Sequence, residues 1–325
     1  MKLPRRQFLH LAASAAALPT VSRVARAQAY PSRPVHLIVG YPPGGGDDIV
    51  ARLIGPWLSE RLGQQFIVEN RPGATTNIAT EAVVRASPDG YTLLQVSSAS
   101  TVNATLFEKL NFNFIRDIAP VASIAHLPFV LVVNPSLPAK TVAEFIAYAK
   151  ANPGKINMAT PGAGSASDLN GQLFKVMAGV DLVTVHYRGV GPALPELISG
   201  RVEIIFVPVA VAIGYIKSGT LRALGVTTPA RVAVLPDVPP IGDFVPGYEG
   251  TGFEGIGAPA NTPLEVIAIL SRQVNAALFD PMFKARLGDL GMEPFAGSPA
   301  DFGKFIADET EKWGKVVKSA NIKAE

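Results

Sequence analysis

The sequence predicts an α/β protein built from two Rossmann-like domains joined by two crossing segments. Short apolar, partly β-branched runs alternate with segments of helical periodicity. The alternation restarts near the middle of the chain. Each half also carries a glycine-rich turn between a strand pattern and a helix pattern, "GYPPGGGDD" at Gly40–Asp48 and "ATPGAGSASD" at Ala159–Asp168.

The first half opens with an apolar strand at Val35–Gly40. Apolar residues at Ile49, Val50, Leu53, Ile54, Trp57, Leu58 and Leu62 mark one face of a helix over Asp48–Leu62. Phe66–Glu69 is a second strand, Ile78–Ala86 a second helix and Tyr91–Val96 a third strand. Turns fall at "NRPGATTN" and at Pro88-Asp89-Gly90. This β-α-β-α-β order implies a mostly parallel sheet with helices on both faces.

The second half repeats the scheme. Strands are expected at Phe129–Asn134, Ile156–Thr160, Leu182–His186, Val202–Phe206 and Leu221–Val226. Helices are expected at Thr141–Ala151, Leu169–Ala178, Pro192–Ser199 and Val209–Ser218. Thr141 followed by Glu144 makes a capping box, and Gly200 closes the helix before it. The tail reads as three helices, Pro263–Phe279, Pro281–Leu290 and Pro299–Ser319. The expected domains are residues 28–125 with 252–325, and residues 126–251 inserted between them. The crossings are placed near Ser123–Val130 and Tyr248–Ala258.

Residues 1–27 read as a cleavable export signal rather than part of the fold. Lys2, Arg5 and Arg6 form a basic start, an apolar stretch runs from Phe8 to Leu18, and Ala25-Arg26-Ala27 is a small-x-small cleavage pattern. The apolar stretch is too short to span a membrane. Arg5-Arg6 before Gln7-Phe8-Leu9 fits a twin-arginine signal. Of the 29 basic residues, five lie in this leader, leaving 24 against 26 acids, so the net charge falls from +3 to −2. The overall pI near 9.0 is thus largely a property of the leader. No basic face for nucleic acid is implied.

The chain has no cysteine, which excludes thiol chemistry, disulfides and cysteine metal sites. Beyond the leader only His36, His126 and His186 remain, without metal-ligand spacing, so no metal or cofactor is expected. His36 and His186 are expected to be structural. Glycine at a strand–helix turn lets backbone N–H groups approach a ligand, and the positive end of the helix favours an anion. Two such turns facing each other would hold a small carboxylate with backbone donors from both sides. Neither turn is a P-loop, since no Gly-Lys-Ser/Thr occurs, and neither has the full GxGxxG. Ser165 lacks the GxSxG setting, and no histidine follows His186. Catalysis is therefore not expected.

Several further stretches carry a resemblance. "PSRPVHLIVGYPPGGGDDIVARLIGPWLSERLGQQFIVENRPGA", "ASPDGYTLL", "DIAPVASIA", "TPGAGSASDL", "VHYRGVGPAL", "SGRVEIIF", "LRALGVTT" and "GAPANTP" together resemble the Bug family of periplasmic solute receptors. That family supplies the binding proteins of tripartite tricarboxylate transporters. The match covers nearly all of residues 33–320. It implies a hinged, two-lobed periplasmic binding protein fold, type II-like, with one ligand carboxylate seated between the two glycine turns.

By that resemblance the seat comprises Tyr41, Pro42, Gly44, Gly45 and Gly46 from the first turn, and Ala163, Gly164 and Ser165 from the second. Asp48 is expected to brace its own loop. Ser97 and Ser98 sit at a further cleft-facing strand end, and Tyr187 closes the other side. Three positions depart from the family pattern. Asp47 stands where a hydroxyl residue is usual, Asp168 where histidine is frequent, and Val207 where aspartate is frequent. A monocarboxylate with an apolar or aromatic body would suit these changes, as would a ligand whose amino or amide group meets Asp168. The implied function is a periplasmic, monomeric receptor that feeds the membrane subunits of a tripartite tricarboxylate transporter. A ligand-sensing component of a signalling system is the alternative.

Overall fold

The computed structural model describes residues 30–107 and 109–319. The export signal expected at residues 1–27 lies outside the described residues. The first half forms β1 (Val35–Val39), α1 (Gly46–Leu62), β2 (Phe66–Asn70), α2 (Asn77–Val84), β3 (Thr92–Ser97), α3 (Ser98–Leu106) and α4 (Phe114–Asp117). A strand of 16 residues, β4 (Ile118–Val133), leads into the second half.

There the chain forms α5 (Val142–Ala151), β5 (Asn157–Thr160), α6 (Ala166–Ala178), β6 (Val183–His186), α7 (Val190–Ile198), β7 (Ile204–Pro208), α8 (Val209–Lys217) and β8 (Arg222–Val226). It returns through β9 (Thr251–Pro259) to α9 (Leu264–Phe279), α10 (Pro281–Asp289), β10 (Glu293–Pro294) and α11 (Pro299–Ser319). The capping box holds in part. Thr141 Oγ1 accepts from Glu144 N at 3.1 Å, while Glu144 Oε2 accepts from Lys140 N at 2.7 Å instead of from Thr141.

Strand side chains alternate between faces, and both faces of these sheets are covered. In β1, Val35, Leu37 and Val39 pack with Ile54 and Leu58 of α1 and with Leu270 and Val274 of α9. Ile38 points the other way, into a cluster with Leu94, Val83 and Phe302. In β7, Ile204 and Phe206 pack on Phe145 and Phe174. Ile205 and Val207 face Ala193, Leu197 and Ala212. Each half thus has its own two-sided core.

β1, β2 and β3 are parallel, as are β5, β6 and β7. The crossing strands are antiparallel to their neighbours. Residues Ile118–Pro128 of β4 pair with β9, and residues Phe129–Val133 pair with β7 and β8. One strand therefore serves two sheets. Register shifts at Pro120/Ala122 and Ser123/Ala125 mark bulges, which bend a strand and raise its twist.

The expected strand at Phe129–Asn134 was only the distal part of β4. The proximal part contains Pro120 and Pro128, which argue against a strand in sequence terms. β9 was hidden by its glycines. They are required by close approach: a Cβ on Gly255 would lie 2.3 Å from Phe302 Cζ and 2.7 Å from Ala122 O. α3 carries little apolar periodicity, and its sequence was read only as a strand end.

Candidate functional site

The two glycine turns are built by one device. After β1, Gly44 adopts φ +88°, a conformation glycine tolerates best. Asp48, in the third position of α1, accepts from Gly44 N at 3.0 Å and from Arg52 Nε at 2.9 Å. It also accepts from Asn70 Nδ2 at 2.9 Å. After β5, Gly164 adopts φ +73°. Asp168, in the third position of α6, accepts from Gly164 N at 2.9 Å and from Gln172 Nε2 at 3.2 Å. Each aspartate reaches back four residues to tie its loop and forward four to its own helix.

The surroundings tune the two carboxyls differently. Burial pushes Asp48 up, but the hydrogen bonds from Arg52, Gly44 and Asn70 outweigh it and hold the group below its usual range. Burial dominates at Asp168 and raises it, against the bonds from Gly164 and Gln172. The expected contact between Asp168 and a ligand amine is corrected by this geometry. Both its oxygens are engaged in the brace, and it does not reach the cleft.

The residues ahead of the two braces do reach it. Gly45, Gly46 and Asp47 from one turn and Ser165, Ala166 and Ser167 from the other line a single cavity. Tyr41, Pro42, Ser97, Ser98 and Glu254 complete it on the first-lobe side, with an apolar wall of Leu127, Phe129, Pro161, Phe253 and Pro208. No Lys, Arg or His lines it among the described residues. The cavity between these walls is small, about 40 Å³. Ser165 caps α6 by accepting from Asp168 N at 3.2 Å. Its hydroxyl proton remains available to donate.

Other expected residues lie nearby. Gly44, Asp48, Gly164 and Asp168 form the braces behind the cavity wall. Ala163 and Tyr187 line an adjoining outer groove with Pro42 and Thr75. Thr75 Oγ1 donates to Ala163 O across the lobes at 2.8 Å. It sits in a run, Ala74 to Thr76, with φ of +45°, +46° and +73°. Asn103 Nδ2, donating to Thr75 O at 2.6 Å, helps hold that run. Gly189 packs on Pro42 where the lobes meet. Val207 is buried in the second-lobe core, and its neighbour Pro208 supplies the wall. His36 pairs with Glu69, and His186 Nδ1 lies 2.6 Å from Thr160 Oγ1.

Sequence reasoning missed Glu254. It projects from β9 and is 1 % exposed. Gln95 Nε2 donates to its Oε2 at 2.8 Å, and its carboxyl hydrogen-bonds Asp47. Burial first, then the Asp47 charge, pushes Glu254 far up. Burial pushes Asp47 up to about 6, against hydrogen bonds from Ser97 and Glu254. Burial thus pushes both carboxyls of this neighbouring pair upward. Asp47 Oδ2 and the Tyr41 hydroxyl are buried without a hydrogen-bond partner. The available signal was an acid inside an otherwise apolar, glycine-rich segment, "GFEGIG".

The pair makes a prediction for stability. An unfolded Asp titrates near 4, so the folded state binds the proton more tightly. The stabilisation is complete below pH ~4 and is lost as pH rises through about 6. Wild-type stability should therefore fall by up to ~3 kcal/mol across that window relative to Asp47→Asn. Urea midpoints of both proteins between pH 4 and 7 check this, and parallel curves would exclude a raised Asp47 carboxyl.

Comparison with known proteins shows the family. A model of the "Tripartite tricarboxylate transporter family receptor" matches residues 50–322. The chain belongs to this family. BugT of Bordetella pertussis is 33% identical over 300 residues, covering 91% of this chain and 92% of BugT. The structure of R. palustris Rpa4515 with adipate matches at a TM-score of 0.88 and 35% identity, covering 90% of this chain and 99% of that one. MatC from Rhodopseudomonas palustris with bound malate matches at 0.83 and 31% identity, covering 89% and 100%. The protein is thus a Bug-type solute receptor and not an enzyme. No helix among the described residues is long and apolar enough to cross a membrane.

Proposed function

We propose that this receptor closes two lobes, residues 28–125 with 252–325 and residues 126–251, over a small organic carboxylate. It acts in the periplasm as a monomer and delivers the ligand to the membrane subunits of a tripartite tricarboxylate transporter. The observation that carries this is the meeting of two helix starts, at Gly45–Gly46 and Ser165–Ala166, in one cavity. The first N–H groups of a helix lack intrahelical partners and favour an anion. With no basic side chain in the lining, the carboxylate is received by backbone N–H groups and the Ser165 hydroxyl. Ligand that prefers the closed arrangement shifts the lobes towards it, and the closed shape is what a transporter recognises.

A thermal-shift screen over carboxylates tests the reading. A bound acid at a hundredfold excess over Kd adds about 2.7 kcal/mol of stability. Absence of any stabilising carboxylate would count against it. Ser165→Ala should weaken binding about tenfold, the worth of roughly one hydrogen bond to a charged group. Ser165→Thr, which keeps the hydroxyl, should restore most of it. Equal affinity in all three proteins, by titration calorimetry, would place the seat elsewhere.

A further inference from the structure

We propose that Asp47, supported by Glu254 and joined by the Tyr41 hydroxyl, is a receiving site for an ammonium group, so that the ligand is an amino-bearing carboxylate rather than a plain dicarboxylate. This rests on the carboxylate reading above and specifies the rest of the ligand.

The contrast between adjacent aspartates carries the inference. Asp48 has its oxygens taken up by Gly44, Arg52 and Asn70. Asp47 keeps Oδ2 unpartnered, and that atom is buried in a residue that lines the cavity. The Tyr41 hydroxyl in the same lining is also buried and unpartnered. A buried polar atom without a partner is costly and rare in a finished structure. An ammonium group brings three donors and no acceptor, and it satisfies both atoms together. A second carboxylate brings acceptors only. It would leave Asp47 Oδ2 unpaired and set like charges side by side in a narrow cleft.

Glu254 is a positioning residue in this scheme. Gln95 Nε2 donates to its Oε2, and burial pushes its carboxyl towards the neutral form, so one negative charge faces the cavity rather than two. That charge has no Lys, Arg or His beside it in the lining. At the other turn, the position matching Asp47 is Ser167, which offers a neutral hydroxyl. A ligand with unlike ends therefore meets unlike seats.

The test is titration calorimetry on the purified receptor with length-matched probes. One set is γ-aminobutyrate, α-aminobutyrate, butyrate and succinate; the other is ε-aminocaproate, caproate and adipate. Butylamine is included in the first set. At least one amino acid probe should bind at least about tenfold more tightly than the plain acid and the diacid of its length, the worth of one charge-assisted contact. Asp47→Asn should reduce that preference to below about threefold. Tyr41→Phe, which removes only the hydroxyl, should reduce it in part, and it serves if Asp47→Asn fails to fold. Succinate or adipate binding as tightly as the amino probes, or an unchanged preference in the variants, would overturn the ammonium seat and leave the carboxylate receptor intact. Butylamine binding as tightly as γ-aminobutyrate would instead overturn the carboxylate reading. No binding by any probe would overturn both.

Discussion

Replacing Asp48 with alanine is expected to destabilise the protein by about 2–4 kcal/mol. Loss of a helix-start carboxylate costs about 0.5–2 kcal/mol. Leaving partly buried donors unsatisfied costs a further 1–3 kcal/mol. Asp48 is 4 % exposed, and its removal strands Gly44 N–H and Asn70 Nδ2 together with the Arg52 head group. Asn70 also donates to Tyr41 O at 2.9 Å, so the same change loosens the cavity wall. Urea denaturation of Asp48→Ala against wild type measures the effect. A loss under about 1 kcal/mol would mean that water replaces the brace, within the ordinary range of surface substitutions.

Gly189→Val should act on closure as well as on folding. Gly189 has φ +133°, which valine adopts only with strain, and a Cβ there would lie 2.8 Å from Pro42 Cδ in the opposite lobe. Backbone strain costs the folded state about 1–3 kcal/mol, and the Pro42 contact opposes the close approach of the two halves. Affinity for the best carboxylate of the thermal screen should fall about a hundredfold, which corresponds to about 2.7 kcal/mol. Small-angle scattering should show the ligand-saturated variant more extended than wild type. An unchanged radius and affinity would show that Gly189 and Pro42 part without consequence.

Much of the architecture was readable because each half obeys simple periodicities. Strand β1 and helix α1 announce themselves by apolar spacing, and the end of β1 was placed within one residue. The crossing strands were harder. β4 hides half its length behind Pro120 and Pro128, and β9 is written in glycines that long-range packing demands. The prolines are a local signal that points away from a strand, and the glycines answer to packing that no local pattern reveals. The cleft was legible at the level of the two turns. The functions of neighbouring residues were not. Whether an aspartate at a helix start faces its own loop or the cavity depends on one position of helical phase. Asp48 and Asp168 fall on the loop side, and Asp47 on the cavity side. Glu254 reaches the site from a strand that lies far off in sequence, which spacing could not bring near.

The matched braces have a consequence for how a ligand is oriented. Gly45, Gly46 and Asp47 answer to Ser165, Ala166 and Ser167 by helix position, as two rims of one cavity. With identical rims, a molecule could enter either way round. Charge at Asp47 against a hydroxyl at Ser167, and a bare backbone at Gly45 against a hydroxyl at Ser165, break that equivalence. The cavity thereby acquires a head and a tail, and it presents one fixed end of its cargo to whatever opens it.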